Sequence, residues 1–254
     1  MKNNGFLLEY TYRMIVIDSA RKEKLLDNFR FINEKIAAAC VKGGRNISEV
    51  ELLTVTKYAD PAETGYLVES GKILTAGENK VQDAARKWAG GELAGARQRV
   101  TLRFIGHLQT NKAADAVELF DWIDSVDSLK LANHINKHAG LKGKKMPVLV
   151  QLKLTASDTQ GGIEPAQAPG LLDSMRKLPF LAPSGYMAIA PAAGDPETLR
   201  PLFREVKRMF DRDFPGAVNG HGFKNYLSLG MSGDFETAVE EGSNLPRIGS
   251  MLFA

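Results

Sequence analysis

The chain has 254 residues, of which 44% are hydrophobic and 25% are charged. These proportions are typical of a globular protein and exclude a long disordered tract. Its net charge of +3, from 33 basic and 30 acidic residues, is too small and too evenly spread for a nucleic-acid-binding surface. The single cysteine, Cys40, excludes an intrachain disulfide and a cysteine-based metal cluster and fits a reducing compartment. No run approaches the ~20 apolar residues that span a bilayer, so we expect a cytoplasmic protein without a membrane partner.

An amphipathic helix is predicted first, from residue 19 to about residue 41, because apolar residues recur at helical spacing and two glycines follow. Short β-rich runs then alternate with helical segments. The strands are predicted at residues 52–57, 73–76, 100–105, 122–126, 147–154, 185–190, 226–229 and 247–252. The helices between them are predicted near residues 63–70, 80–89, 111–120, 128–138, 166–178, 196–210 and 235–241.

This alternation predicts a single (β/α)8 TIM barrel preceded by an N-terminal helix. A doubly wound open sheet is the alternative, but no G-x-G-x-x-G motif follows the first strand. No composition break marks a second domain. We therefore expect one barrel domain over residues 18–254. The extension of residues 1–17 is expected to be disordered, or to be an artefact of a gene start that belongs at Met14.

Lys57 ends the apolar run Leu52-Leu53-Thr54-Val55-Thr56, and a turn with Pro61 follows. A lysine at the mouth of a barrel lies beside low-dielectric surroundings, which penalise the ammonium form and leave the amine able to act as a nucleophile. Position alone predicts a Schiff-base lysine or an ordinary lysine that ends a strand in water.

Two loops at the predicted C-terminal end of the barrel suit an anion. The seventh strand leads into Gly230-Met231-Ser232-Gly233, where backbone amides and the Ser232 hydroxyl would face an anion near a helix start. The eighth strand leads into Gly249-Ser250, where the glycine admits close backbone approach and the serine can donate. Each loop by itself could also be a plain N-capped turn.

Three further residues lie at predicted strand ends. Arg247 lies in a buried strand and needs a partner, either a carboxylate of the barrel, which the sequence favours, or a ring nitrogen of an aromatic cofactor. Asn79 is expected to be an N-cap that also lies near the mouth. His107 is expected to be a loop or capping group rather than an acid or base. The other histidines are not spaced as ligands, so no metal site is predicted.

Together, several segments resemble the family of pyridoxal phosphate homeostasis proteins, from about Asp18 to the end of the chain. They are residues 53–57, 77–82, 104–112, 125–129, 187–191, 227–235 and 241–250. The resemblance implies a single barrel similar to the N-terminal domain of alanine racemase. It also implies pyridoxal 5′-phosphate (PLP) bound to Lys57 as an internal aldimine.

Carried over residue by residue, the resemblance places Asn79 near the cofactor and Arg247 opposite the pyridine nitrogen. The phosphate would be held by Met231, Ser232, Gly249 and Ser250. A guanidinium does not give up its proton, so the pyridine nitrogen would stay unprotonated and the ring would be a weaker electron sink.

The implied function is PLP binding in intracellular PLP homeostasis without substantial catalysis, in a monomer or weak homodimer with PLP-dependent apoenzymes as recipients. A racemase-like PLP enzyme is the alternative, but it needs a second base that alanine racemase takes from a further domain, and no such domain is expected after Ala254. A cofactor-free Schiff-base aldolase ranks third.

The sequence departs from the family at Lys153, where asparagine is usual, and at Gln160-Gly161-Gly162, which usually carries a lysine.

Overall fold

The computed structural model describes residues 17–155 and 161–254. Within these ranges eight strands form one parallel sheet in the order β7-β6-β5-β4-β3-β2-β1-β8. The strands are β1 Leu53–Val55, β2 Thr75–Glu78, β3 Thr101–Phe104, β4 Trp122–Val126, β5 Met146–Lys153, β6 Leu181–Ile189, β7 Tyr226–Ser228 and β8 Arg247–Ile248. The predicted TIM barrel is confirmed. The expected extension, apart from Ile17, and Gln160 lie outside the described residues.

Helices follow the strands on the outside of the barrel. They are α1 Ser19–Lys42, α2 Pro61–Glu69, α3 Val81–Ala84, α4 Ala113–Leu119, α5 Leu129–Leu141, α6 Ala168–Arg176, α7 Arg200–Asp213 and α8 Phe235–Glu240. The predicted helix over residues 80–89 is α-helical only in its first part, because α3 continues as a π-helical turn over Ala85–Ala89. No helix in the described ranges is both long and apolar enough to cross a membrane.

Most strand boundaries lie within about two residues of the prediction, and two of them differ by about four. Strand β6 begins at Leu181 rather than at residue 185. Pro183 does not interrupt the strand, because it lies beside a register shift in the pairing of β6 with β5, where a missing N–H is tolerated. Strand β8 ends at Ile248 rather than at residue 252, because Leu252 donates its N–H to the Gly249 carbonyl at 2.9 Å and closes a turn. The eighth strand therefore ends directly before the loop of Gly249 and Ser250.

Helix α1 completes the ring of helices, because it packs against both α8 and α2. Asp18 caps its start by accepting from the Arg21 N–H at 2.7 Å. The Arg21 guanidinium pairs with Glu63 of α2 at 2.6 Å and also donates to the carbonyls of Phe253 and Ala254 at 2.8 Å each. The N-terminal helix thus occupies the place of a helix after β8 and holds the C-terminal residues.

The barrel closes between β7 and β8 through individual hydrogen bonds. The Asn244 N–H donates to the Leu227 carbonyl and the Arg247 N–H to the Gly230 carbonyl, both at 3.0 Å. The Ser228 hydroxyl adds a bond to the Leu245 carbonyl at 2.9 Å. This junction lies directly below the two predicted anion loops.

Alternate residues of each strand face the barrel interior, as the period of two requires. On β1 the inward residues are Leu53 and Val55, which pack in an interior cluster with Leu149 and Met187. A second, larger cluster fills the space between the sheet and the helices. Continuing the alternation past β1 directs the side chain of Lys57 into the C-terminal mouth.

Candidate functional site

Lys57 lies in a tight turn directly after β1. The Ala59 N–H donates to the Thr56 carbonyl at 3.1 Å and closes the turn, and the Lys57 side chain is half-buried. Its Nζ lies 4.9 Å from the centre of the exposed Tyr58 ring. Among the described residues, Nζ has no hydrogen-bond or ion-pair partner, so the amine is available at the mouth.

Asn79 follows β2, the neighbour of β1, and is half-buried at the same end of the barrel. The expectation that it caps a helix is wrong, because Lys80 occupies the cap position of α3 and makes no side-chain capping bond. A Cβ on Gly106 would lie 2.1 Å from the Asn79 carbonyl oxygen, so only glycine permits this approach of the two loops. This contact fixes the Asn79 backbone directly after β2, the strand paired with β1.

Arg247 is 5% exposed and is held by uncharged groups. Its Nη1 donates to the Ser228 carbonyl at 2.7 Å and to the Ser228 hydroxyl at 2.8 Å, and its Nη2 donates to the Ala188 carbonyl at 2.8 Å. The expected carboxylate partner is therefore wrong for this structure. Burial lowers the pKa of Arg247 to about 10, opposed by the charges of Asp124 and Asp234. The guanidinium still carries its proton at neutral pH, and its Nε donates to no described residue.

The two predicted anion loops meet in the structure. The Ser250 hydroxyl donates to the Ser232 hydroxyl at 3.1 Å. Gly230 has φ +89°, and a Cβ there would lie 2.7 Å from the Ala238 side chain, so the turn out of β7 requires glycine. A Cβ on Gly249 would similarly lie 2.7 Å from the Val55 carbonyl oxygen.

The donors in these loops differ partly from those predicted. The Met231 N–H donates to the Asp234 carboxylate at 2.6 Å, so it is already occupied, and the Met231 side chain is exposed. In contrast, the backbone amides of Ser232, Gly233 and Ser250 have no acceptor in the described part of the chain. Helix α8 has six residues, so these loop amides and two hydroxyls, rather than a helix dipole, form the anion-suited surface.

A polar rim lies on the opposite side of the mouth. His107 is largely exposed, with its Nδ1 3.9 Å from an Asp127 carboxylate oxygen. Gln151, at the end of β5, donates to the Gly161 carbonyl at 2.8 Å. Lys153 is half-buried beside Ile189 of β6. Groups of three or more His, Cys, Asp or Glu side chains that could hold a metal are not found in the described ranges.

Sequence reasoning missed the charged pair inside the barrel. Arg103 binds Asp124 through two hydrogen bonds of 2.8 and 2.9 Å, and both side chains are fully buried. The Arg103 guanidinium carbon also lies 4.1 Å from the Trp122 ring centre. Burial raises the pKa of Asp124, opposed by the charge and hydrogen bonds of Arg103. Opposite charges within two successive predicted strands were the signal that could have revealed the pair.

The family model for the alanine racemase N-terminal domain matches residues 46–254. A pyridoxal phosphate homeostasis protein of Aquifex aeolicus is 33% identical over 225 residues, which cover 87% of this chain and 93% of that protein. One of Escherichia coli strain K12 is 32% identical, over 89% of this chain and 94% of its own length. The chain belongs to the pyridoxal phosphate homeostasis protein family.

Solved structures agree with this family assignment. A protein from Bifidobacterium adolescentis has a TM-score of 0.84 at 30% identity, covering 94% of this chain and 98% of its own. PipY of Synechococcus elongatus, solved with PLP bound, has a TM-score of 0.72 at 32% identity, covering 88% of this chain and 100% of its own. Alanine racemase of Clostridium difficile, at 17% identity and a TM-score of 0.65, shares the fold.

Proposed function

We propose that this protein binds PLP at the C-terminal mouth of the barrel, with Lys57 as the attachment residue, and takes part in intracellular PLP homeostasis. The observation that carries the proposal is the placement of a half-buried amine at the mouth where the Ser232 and Ser250 loops meet. In the part of the chain that the structure describes, this amine has no hydrogen-bond or ion-pair partner. Membership of the family and the PLP-bound PipY structure support the choice of ligand.

The residues present fit this cofactor. A PLP molecule supplies an aldehyde that condenses reversibly with a primary amine and a phosphate that carries negative charge. Lys57 provides the amine. The hydroxyls of Ser232 and Ser250 would donate to the phosphate, together with the loop amides that have no acceptor among the described residues. Gly249 allows its loop to pack closely against the Val55 carbonyl.

Arg247 has a separate role in this proposal. Its two Nη atoms are fixed by the Ser228 and Ala188 oxygens, so the guanidinium plane cannot turn freely. The remaining Nε would donate to the pyridine nitrogen. Because the arginine holds its own proton at neutral pH, it would keep that nitrogen unprotonated. Asn79 would bound the cofactor on the β2 side.

The proposal includes PLP-dependent apoenzymes as recipients, a cytoplasmic location, and action as a monomer or weak homodimer. The name of the related proteins supports a role in homeostasis, and the single buried cysteine fits a reducing compartment. Faster reactivation of a PLP-free apoenzyme by the loaded protein than by free PLP at the same concentration would support direct delivery.

The test is chemical trapping at Lys57. The purified protein is mixed with PLP, reduced with borohydride and digested for mass spectrometry, alongside Lys57→Ala and a control, Lys24→Ala, at an exposed position of α1. We expect the phosphopyridoxyl mass on the Lys57 peptide in the parent and in Lys24→Ala. Equal labelling and an unchanged absorbance spectrum in Lys57→Ala would refute attachment at this residue.

A further inference from the structure

A hydrogen-bond centre on the outer side of the sheet joins the ends of β1 and β2. Glu78 is fully buried, and its Oε1 accepts from the Thr56 hydroxyl at 2.8 Å, from Lys87 Nζ at 2.8 Å and from Trp88 Nε1 at 3.1 Å. Because strand residues alternate, Thr56 and Glu78 face outward directly before Lys57 and Asn79, which face the mouth. The hydrogen bond between Thr56 and the Glu78 carboxylate therefore joins the residues that directly precede Lys57 and Asn79.

Lys87 makes a second contact that bears on Lys57. Its ammonium donates to the Thr56 carbonyl as well as to Glu78. That carbonyl belongs to the peptide group of Lys57, and it also accepts the Ala59 N–H that closes the turn. The Lys87 side chain is 14% exposed, so water weakens these charge-assisted bonds little.

The local helix geometry brings both donors to one oxygen. Consecutive side chains of an α-helix point in different directions and do not face a common partner. Lys87 and Trp88 lie instead in the π-helical turn Ala85–Ala89, where the wider backbone redirects them toward Glu78. Such single turns are frequent at functional sites, although this one lies outside the barrel and not at its mouth.

We propose that Lys87 and Glu78 are positioning residues for Lys57: they fix the turn that presents its amine and touch neither PLP nor the reacting atoms. The inference rests on the proposed PLP attachment at Lys57. It assigns to the π-helical turn the task of holding the amine in one position, which lowers the entropy lost when the cofactor attaches.

The test compares Lys87→Met, which removes the ammonium but keeps an unbranched side chain, with Arg86→Met, which removes a largely exposed cation from the same turn. Two probes are used, PLP and pyridoxine 5′-phosphate, which has the same phosphate but no aldehyde. We expect Lys87→Met to weaken PLP binding about tenfold and to leave the affinity for pyridoxine 5′-phosphate within about twofold. Arg86→Met should change neither.

A second readout needs no ligand. In the ligand-free Lys87→Met protein the Ala59 amide hydrogen should exchange with solvent at least several-fold faster than in the parent, because its acceptor is no longer fixed. If Lys87→Met does not fold, the double variant Lys87→Met/Glu78→Gln removes both buried charges and is measured in the same way. A purely structural role would lower the unfolding temperature and leave the ratio of the two affinities unchanged.

The outcomes separate this inference from the proposed function. If the parent protein binds PLP through Lys57 and a folded Lys87 variant binds both probes as the parent does, the positioning role is wrong and the proposed function stands. Equal loss of affinity for both probes would also overturn it, because the effect would then concern the phosphate site. If the parent takes up no PLP at Lys57, the proposed function itself fails.

Discussion

Asp124→Asn is expected to destabilise the barrel strongly by breaking the interior ion pair. Arg103 and Asp124 are both 0% exposed, and their two hydrogen bonds are within 2.9 Å. The neutral amide would leave the guanidinium charge buried, with one acceptor oxygen and the Trp122 and Tyr226 rings as its remaining partners. Removing one member of a buried pair typically costs about 3–5 kcal/mol. Because asparagine keeps one acceptor oxygen, we expect about 3 kcal/mol.

Replacing both Arg103 and Asp124 should lower the free energy of unfolding much less. In Arg103→Met/Asp124→Leu neither charge of this pair remains, and apolar side chains fill most of the same volume. Such replacements are often neutral or stabilising, so we expect a free energy of unfolding within about 1 kcal/mol of the parent. Each charge mainly compensates the other, and a double-mutant cycle measures this coupling energy directly.

Urea unfolding at constant pH, with the slope m compared between variants, gives the free energies. The control is Asp173→Asn, which alters an exposed pair with Arg176 on α6 and should change the stability by less than about 1 kcal/mol. The reasoning would be refuted by a loss below about 1 kcal/mol in Asp124→Asn. A double variant as unstable as Asp124→Asn would refute it equally.

Three further predictions concern the phosphate loops, the N-terminal helix and acid stability. Ser250→Ala should weaken PLP binding roughly 10-fold or more in calorimetry, through a lost hydrogen bond to a charged group, and leave the binding of unphosphorylated pyridoxal unchanged. Arg21→Met should lower the free energy of unfolding by about 1–2 kcal/mol, because it releases Glu63 and the C-terminal carbonyls. Hydrogen bonding to Arg212 lowers the pKa of Asp213 in the folded protein, despite partial burial. Its contribution is therefore present above about pH 4 and lost as pH falls through the folded pKa, so urea unfolding of Asp213→Asn should show a shallower acid loss.

The fold was predictable because each strand and helix carries a local pattern. The β4 boundaries agree with the prediction at both ends, and α1 extends one residue further than predicted. The differences arise where long-range context overrides the pattern, as at Pro183, which is tolerated beside a register shift. The π-helical turn Ala85–Ala89 could not be predicted, because its sequence is compatible with an ordinary α-helix and its contacts with the buried Glu78 form only in the folded chain.

The candidate site was predictable in its position and only partly in its contacts. Strand ends and glycines identified Lys57 and the loops of Ser232 and Ser250, because these signals are local. The carboxylate partner that the sequence favoured for Arg247 was predicted wrongly, since backbone carbonyls of two other strands hold the guanidinium and carbonyls leave no mark in the sequence. The occupation of the Met231 amide by Asp234 follows from a turn geometry that composition does not fix.

The ends of β1 and β2 show how one dipeptide can serve two sides of a sheet. In Thr56-Lys57 and Glu78-Asn79 the first residue faces the helices and the second faces the mouth, so a shift of one residue would exchange their environments. The Thr56 hydroxyl donates to the Glu78 carboxylate, so a hydrogen bond between the outward residues joins the two strand ends. A polar residue directly before a site residue at a strand end is therefore a candidate for orienting that site from outside the barrel.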